Sequence, residues 1–243
     1  MEFQGRKELL KALVGSHNYN LNTIDSDRDY KIFVSPTFED LYYNRQFSMS
    51  QIGKLEDFDI HDIRKLPGLW WKGNINFLEI LFSIEINIDS SLINHIISMK
   101  DDIAKMNLSS LYDACIGSHI NKKKLIHRGT EGTIHLVHKY GYNTKEAMHS
   151  IRVLDFLRRF GESSFNDFKK ALWYDDNDSM KKTLMDIKNG CYTEEEYYKL
   201  AEEILNSAKT YEKFYKEQSY NEELYDMLKK LVKTIVKTTL VLN

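Results

Sequence analysis

The stretch GSHNYNLNTIDSDRDYKIFVSP, residues 15–36, carries the features from which the fold is read. Gly15-Ser16 forms a break, and Asp27-Arg28-Asp29 follows after ten intervening residues. HNYNLNT is rich in turn-forming Asn, whereas Tyr30, Ile32, Phe33 and Val34 make a β-rich run stopped by Pro36. This pattern predicts a turn and then a strand from about Asp27 to Val34. Two carboxylates at i and i+2 on a strand project from one face, roughly 6.5–7 Å apart along the backbone, a spacing that suits hard divalent cations. A glycine-serine turn beside them offers backbone N–H groups and a hydroxyl to a phosphate chain without steric obstruction. Together they predict a nucleotide-plus-magnesium site. Its logic is that of two metals: acidic residues hold cations that orient a triphosphate, activate an attacking hydroxyl and neutralise the leaving pyrophosphate. Such chemistry calls for a third carboxylate from elsewhere in the fold. The competing reading of DSDRD is a solvated turn entering a strand, with Ser26 as a turn residue.

Upstream, Arg6 to Ala12 has helical composition and runs into Leu13-Val14 before the break. Downstream, Phe38 to Asp59 is mixed, and His61 to Trp70 reads as a helix closed near Pro67-Gly68. NFLEILFSIEI, residues 76–86, is apolar at seven positions and reads as a buried strand, although its length also suits a helix. A carboxylate within so apolar a run is costly unless paired or metal-bound, which supports a role for at least one of Glu79 and Glu85, two residues on the same face if the strand is regular. Beyond Asp89 the segments lengthen to helical spacing, and Thr193 followed by three glutamates is a helix start favoured by both capping and dipole. No repeat or Gly/Ser linker separates the halves, so the expected domains, 1–89 and 90–243, meet at a composition shift.

The 243 residues suffice for one large domain or two small ones. With 34 Lys+Arg against 36 Asp+Glu the net charge is only −2, which removes any global electrostatic case for nucleic-acid or membrane-surface binding. Any such contact must be local, and Lys122-Lys123-Lys124 with His127 and Arg128 is the obvious run. His135 and His138, three apart, lack an evident acidic partner for zinc. Trp70 and Trp71 read as packing residues. Two distant cysteines, Cys115 and Cys191, fit a reducing compartment, and neither a signal-like apolar leader nor a run of roughly 18 apolar residues is present. A cytoplasmic protein without membrane partners is therefore expected.

On Gly15, Ser16, Asp27 and Asp29 the chain resembles the DNA polymerase β-like nucleotidyltransferase superfamily, whose minimal signature is Gly-Ser, a spacer of this length and Asp-x-Asp. More narrowly, residues 15–36, KGNINFLEILFS and KEAMHSIRVLDFL resemble the three blocks of the RlaP or YcgL group of nucleotidyltransferases found in bacteria and phages. The resemblance spans about residues 15–157. The second block of that group carries an Asn-Pro-Asn-x-x-Glu-like element; here Asn74 to Glu79 lacks the proline and keeps the glutamate, which by resemblance makes Glu79 the third metal carboxylate. The third block resembles Lys-x-x-x-His-x-x-Arg, falling on Lys145, His149 and Arg152. Spacings of four and three put these on one helix face, as candidates for triphosphate or acceptor binding, against a polar surface stripe as the plain alternative.

The expected architecture is α+β: a polymerase-β-like domain whose small mixed sheet carries Asp27, Asp29 and Glu79, followed by a helical domain closing the cleft. The expected activity is transfer of a nucleoside monophosphate from a nucleoside triphosphate such as ATP, with Mg²⁺ or Mn²⁺. Gly15 and Ser16 would hold the β/γ-phosphates, and Glu79 or Asp29 would sit near the attacking hydroxyl. The resemblance implies an RNA 3′ end, such as that of a tRNA, as acceptor. Adenylylation of a partner protein is the second enzyme reading, and a catalytically silent binding module is the third. An acidic cluster that repels itself without cations argues against the third. The helices from Thr193 onward are candidates for dimerisation.

Overall fold

A computed structural model describes residues 2–242. The chain is α+β and divides into two compact units, residues 1–107 with 219–243, and residues 108–218. The composition shift near residue 89 therefore does not mark the division. Two helices beyond it and the last helix of the chain belong with the sheet, because their apolar faces are covered there.

The first unit opens with β1 (Glu2–Phe3), β2 (Arg6–Val14), α1 (Ser16–Tyr19) and β3 (Arg28–Val34). It continues with α2 (Phe38–Tyr42), β4 (Ser48–Ile52) and β5 (Glu56–Asp62). Next come α3 (Leu66–Trp71), α4 (Ile75–Leu78), a 3₁₀ turn at Glu79–Phe82 and β6 (Ile86–Ile88). Helices α5 (Ser91–Ser98) and α6 (Lys100–Lys105) follow. The sheet runs β1-β2-β3-β5-β4, with β6 added to β2. All pairings are antiparallel except β3 with β5, which run parallel.

The strand expected at Asp27–Val34 forms as β3. The helix expected at Arg6–Ala12 does not: this Lys/Glu/Leu/Ala segment is β2, which pairs with β1, β3 and β6 and buries Leu9, Leu10, Ala12 and Leu13 almost completely. Ladder pairing on both edges overrides a weak helical propensity. The helix expected over His61–Trp70 is shorter, and Pro67 stands in its first turn, where a missing N–H costs nothing. Pro-Gly thus opens this helix rather than closing it. The apolar run at residues 76–86 is not a strand. Asn74 caps α4 through its side chain, and the run then tightens into the 3₁₀ turn, burying Ile75, Leu78, Ile80, Leu81 and Phe82. Trp70 is buried and donates its indole N–H to the Phe77 carbonyl at 3.0 Å, a packing role.

Alternation along β3 splits the sheet faces. Ile32 and Val34 join Phe3 and Ile60 in an apolar cluster on one face. Asp29, Lys31 and Phe33 lie on the other, opposite Asp57, Asp59 and His61 of β5.

The second unit is helical: α7 (Leu108–Leu125), α8 (Ile134–Tyr140), α9 (Thr144–Glu162), α10 (Phe168–Leu172), α11 (Ser179–Lys188), α12 (Glu194–Lys209) and α13 (Glu212–Lys216). The start expected at Thr193 is a full capping box: Thr193 and Glu196 bond each other's backbone N–H groups. Helix α9 is its centre, with α7, α10, α11 and α12 packed around it. The last helix, α14 (Glu222–Leu242), returns to the first unit and packs on α3 and α5.

At the heart of α9, Asp155 is fully buried. Its Oδ1 accepts from Arg158 at 2.7 and 3.2 Å, and its Oδ2 accepts from Tyr174 at 3.0 Å. Removing one member of such a pair strands a buried charge. Asp155→Ala is expected to cost on the order of 3 kcal/mol, read as a shifted midpoint in urea unfolding.

Candidate functional site

At the end of the sheet where β3 and β5 begin, Asp27, Asp29 and Asp57 each offer a carboxylate oxygen within 4.8 Å of the others. Among the described residues this is the one group of acidic, histidine or cysteine side chains so arranged. Asp29 and Asp57 are direct partners in the parallel ladder, so their side chains leave the same face, and Asp27 stands one residue before β3. Asp27 is exposed and the other two are half-buried, which leaves the group open to solvent and to a ligand. The donors are all carboxylate oxygens, the set that suits Mg²⁺ or Mn²⁺. Gly53 fixes Asp57 by donating its N–H to Oδ1 at 3.1 Å.

Gly15 sits directly above Asp29. Its φ is 72°, in the region that favours glycine, and a Cβ there would lie 2.6 Å from Asp29 Oδ2. Glycine is therefore required twice at this position, by its own backbone and by the carboxylate beneath it. Ser16 opens α1 immediately after, so the turn and the acidic group form one continuous surface.

The carboxylate that the fold groups with Asp27 and Asp29 is that of Asp57, and Glu79 lies outside this group. Glu79 is only 2 % exposed; its Oε2 accepts from the Gly15 N–H at 3.2 Å and from Asn18 Nδ2 at 3.4 Å. Asn18 also bonds the Glu79 carbonyl and accepts from the Ile84 N–H. Glu79 thus braces the glycine-serine turn from below. Glu85 is engaged elsewhere, 2.5 Å from Arg28 and accepting from Tyr30 at 2.7 Å. Asp57 escaped the sequence reading because a parallel partner strand leaves no local mark at β3. A signal did exist: in EDFDIHD, residues 56–62, Asp57, Asp59 and His61 alternate with Phe58 and Ile60, the period of a half-buried strand.

Two residues along the same face, Lys31 Nζ lies 2.5 Å from Asp59 Oδ2, and His61 Nε2 lies 2.9 Å from that oxygen. Lys31 also stands over the Phe77 ring at 4.6 Å. Burial alone would raise the Asp59 pKa, but hydrogen bonds from His61 and Lys31 outweigh it and hold this carboxyl well below the usual range. Its pairing stabilises the fold fully above the ordinary aspartate pKa of about 3.9, and that contribution is lost as pH falls through the depressed folded value.

Lys145, His149 and Arg152 all lie on α9 of the second unit, but they do not form one exposed face. Lys145 is exposed, His149 partly buried and Arg152 only 3 % exposed. Desolvation, then the charges of Arg152, Lys122, Lys145 and Lys188, push the His149 pKa well below the ordinary histidine value. Part of the basic run at 122–128 is engaged within the unit: Lys122 pairs with Glu146 at 2.7 Å, Lys123 covers the Tyr198 ring and His127 faces Glu194 at 3.2 Å, while Lys124 and Arg128 are exposed.

Compared with known protein families and with curated proteins, the chain matches no family model and no curated protein.

Three predictions come from this geometry. Asp57→Asn is expected to abolish Mn²⁺ binding, read by electron paramagnetic resonance, while leaving the metal-free melting temperature unchanged or raised through relief of like-charge repulsion. Glu79→Gln should retain Mn²⁺ binding and melt lower. For Asp59→Asn, the loss of melting temperature relative to the unmodified chain is expected at pH 7 and should shrink steadily in a titration below pH ~4.

Proposed function

We propose that this protein is a nucleotidyltransferase with a polymerase-β-like catalytic unit, moving a nucleoside monophosphate from a nucleoside triphosphate to the hydroxyl of an RNA 3′ end in the cytoplasm. The observation that carries this reading is the contact between the Gly15-Ser16 turn and the acidic group: the turn can hold a phosphate chain only where the carboxylates below can hold its counter-cations. No helix of the described chain is long and apolar enough to cross a membrane.

Asp27, Asp29 and Asp57 would hold the cations, and Mg²⁺ bound there would supply Lewis-acid stabilisation of charge on the phosphates and the attacking oxygen. The chain's own residues orient and position. Gly15 has no side chain to obstruct a phosphate, Ser16 offers its hydroxyl, and Glu79 keeps the turn fixed through the Gly15 amide. In the transfer, the acceptor oxygen bonds the α-phosphorus and the bond from that phosphorus to the β-bridging oxygen breaks. Pyrophosphate leaves with the electron pair, and the hydroxyl proton passes to a carboxylate of the acidic group or to water.

Incubation with each α-labelled nucleoside triphosphate, Mg²⁺ and a mixture of cellular RNA and protein is expected to label RNA, and the label should vanish in Asp27→Asn and in Asp57→Asn. Label on protein instead would replace RNA by a protein hydroxyl as acceptor. Label that survives both substitutions would remove the acidic group from the reaction.

A further inference from the structure

At the far end of β3 from Asp29, a second surface of the first unit combines exposed aromatic rings with unpaired cations. Helix α2 starts after three intervening residues beyond β3, capped by a Thr37/Asp40 capping box, and Arg6 anchors it by two contacts of 2.7 Å to Asp40. A helix so firmly tied down nevertheless turns its large side chains outward. Phe38 and Tyr42 are 67 % and 72 % exposed and stack with centroids 6.1 Å apart; Tyr43, 57 % exposed, meets Tyr42 edge-on at 5.0 Å. Exposing three neighbouring aromatic rings forgoes a large burial gain, which marks a surface built for contact.

Cations adjoin the rings. The Arg45 guanidinium lies over the Tyr43 ring at 4.7 Å, and Arg64 reaches the Arg45 carbonyl. Arg64 and Leu41 also line a groove of about 480 Å³ whose surface is almost wholly apolar, with Pro67, Val232, Val236 and Leu240 among its walls. Its other rim is Lys229, Lys233 and Lys237, which a spacing of four aligns in one row along α14. Lys229 is paired with Asp226 at 2.6 Å, and Arg64 is held by Asp62. Lys233, Lys237 and Arg45 have no carboxylate partner among the described residues, so their charge is available to a ligand.

We propose that this surface binds single-stranded nucleic acid. The lysine row and Arg45 match a line of backbone phosphates, and the Phe38, Tyr42 and Tyr43 rings offer stacking faces to unpaired bases. An acidic polypeptide would satisfy the charge but leave the stacked rings without a planar partner, and a duplex would keep its bases out of their reach. β3 runs roughly 17 Å from Asp29 to Val34, and α2 follows its end. That the strand held here is the acceptor of transfer rests on the nucleotidyltransferase reading, so binding is measured apart from transfer.

The test is fluorescence anisotropy of a fluorescein-labelled twelve-residue oligouridylate with the full chain, without Mg²⁺ or nucleotide, across a salt series. Binding is expected, with Phe38→Ala/Tyr42→Ala weakening it about tenfold at an unchanged salt slope. Lys233→Gln/Lys237→Gln should lower the slope of log Kd against log salt by about 0.7 for each charge removed. These side chains are exposed, so the variants should melt as the unmodified chain does. Absence of binding at low salt, indifference to both double variants, or displacement by polyglutamate together with no effect of the aromatic pair would each overturn the proposal. Binding that meets these expectations in a chain inactive in transfer would sink the enzymatic reading and leave this surface standing.

Discussion

The parallel pairing of β3 with β5 is the constraint on which the site depends. Its register sets Asp29 against Asp57, Lys31 against Asp59 and Phe33 against His61, while Ile32 and Ile60 face the apolar cluster behind. A slip of one residue would turn the carboxylates into that cluster and the isoleucines to solvent. The apolar face therefore specifies the register that sets the Asp29 and Asp57 carboxylates side by side on the opposite face, with Asp27 just before the strand. Burial of Ile32, Val34 and Ile60 opposes the repulsion among the aspartates. These carboxylates are thus brought together by packing that has no chemical role of its own.

Around that ladder, each neighbouring element constrains one part of the site. Gly15 approaches Asp29 more closely than any side chain would allow, and the buried Glu79 carboxylate fixes the Gly15 amide from the other side. Glu79 thereby links the turn to the α4 region, where it is accommodated in an apolar run with its Oε2 hydrogen-bonded by Gly15 and Asn18. Beyond the triad, the Lys31 ammonium pairs with one further carboxylate, Asp59, with the His61 ring beside it.

What the sequence revealed and what it hid follow from the range of the interactions. Gly15-Ser16, Asp27-x-Asp29 and the β-branched and aromatic run after them are local, and β3 formed where they predict. The Thr193 capping box is equally local. Asp57 was hidden because it enters through a strand pairing across 28 residues, and β2 because its Leu/Ala/Lys composition suits a helix until three partner strands are supplied. The apolar run around Glu79 lacks alternation since it is buried on several sides at once, which strand and helix satisfy equally. In α9 the spacing of Lys145, His149 and Arg152 was read correctly as helical. The helix is packed around most of its circumference, so Arg152 falls inside and Lys145 outside, a distinction that spacing alone does not carry.

The central claim is that the Gly15-Ser16 turn and the three aspartates form one site for a nucleoside triphosphate and its cations. Anomalous diffraction from crystals grown with Mn²⁺ and a non-hydrolysable nucleoside triphosphate addresses it most directly. Manganese peaks among Asp27, Asp29 and Asp57, with the phosphate chain against Gly15 and Ser16, are the predicted result. Manganese absent from that group, or a nucleotide bound elsewhere with the acidic group empty, would contradict it.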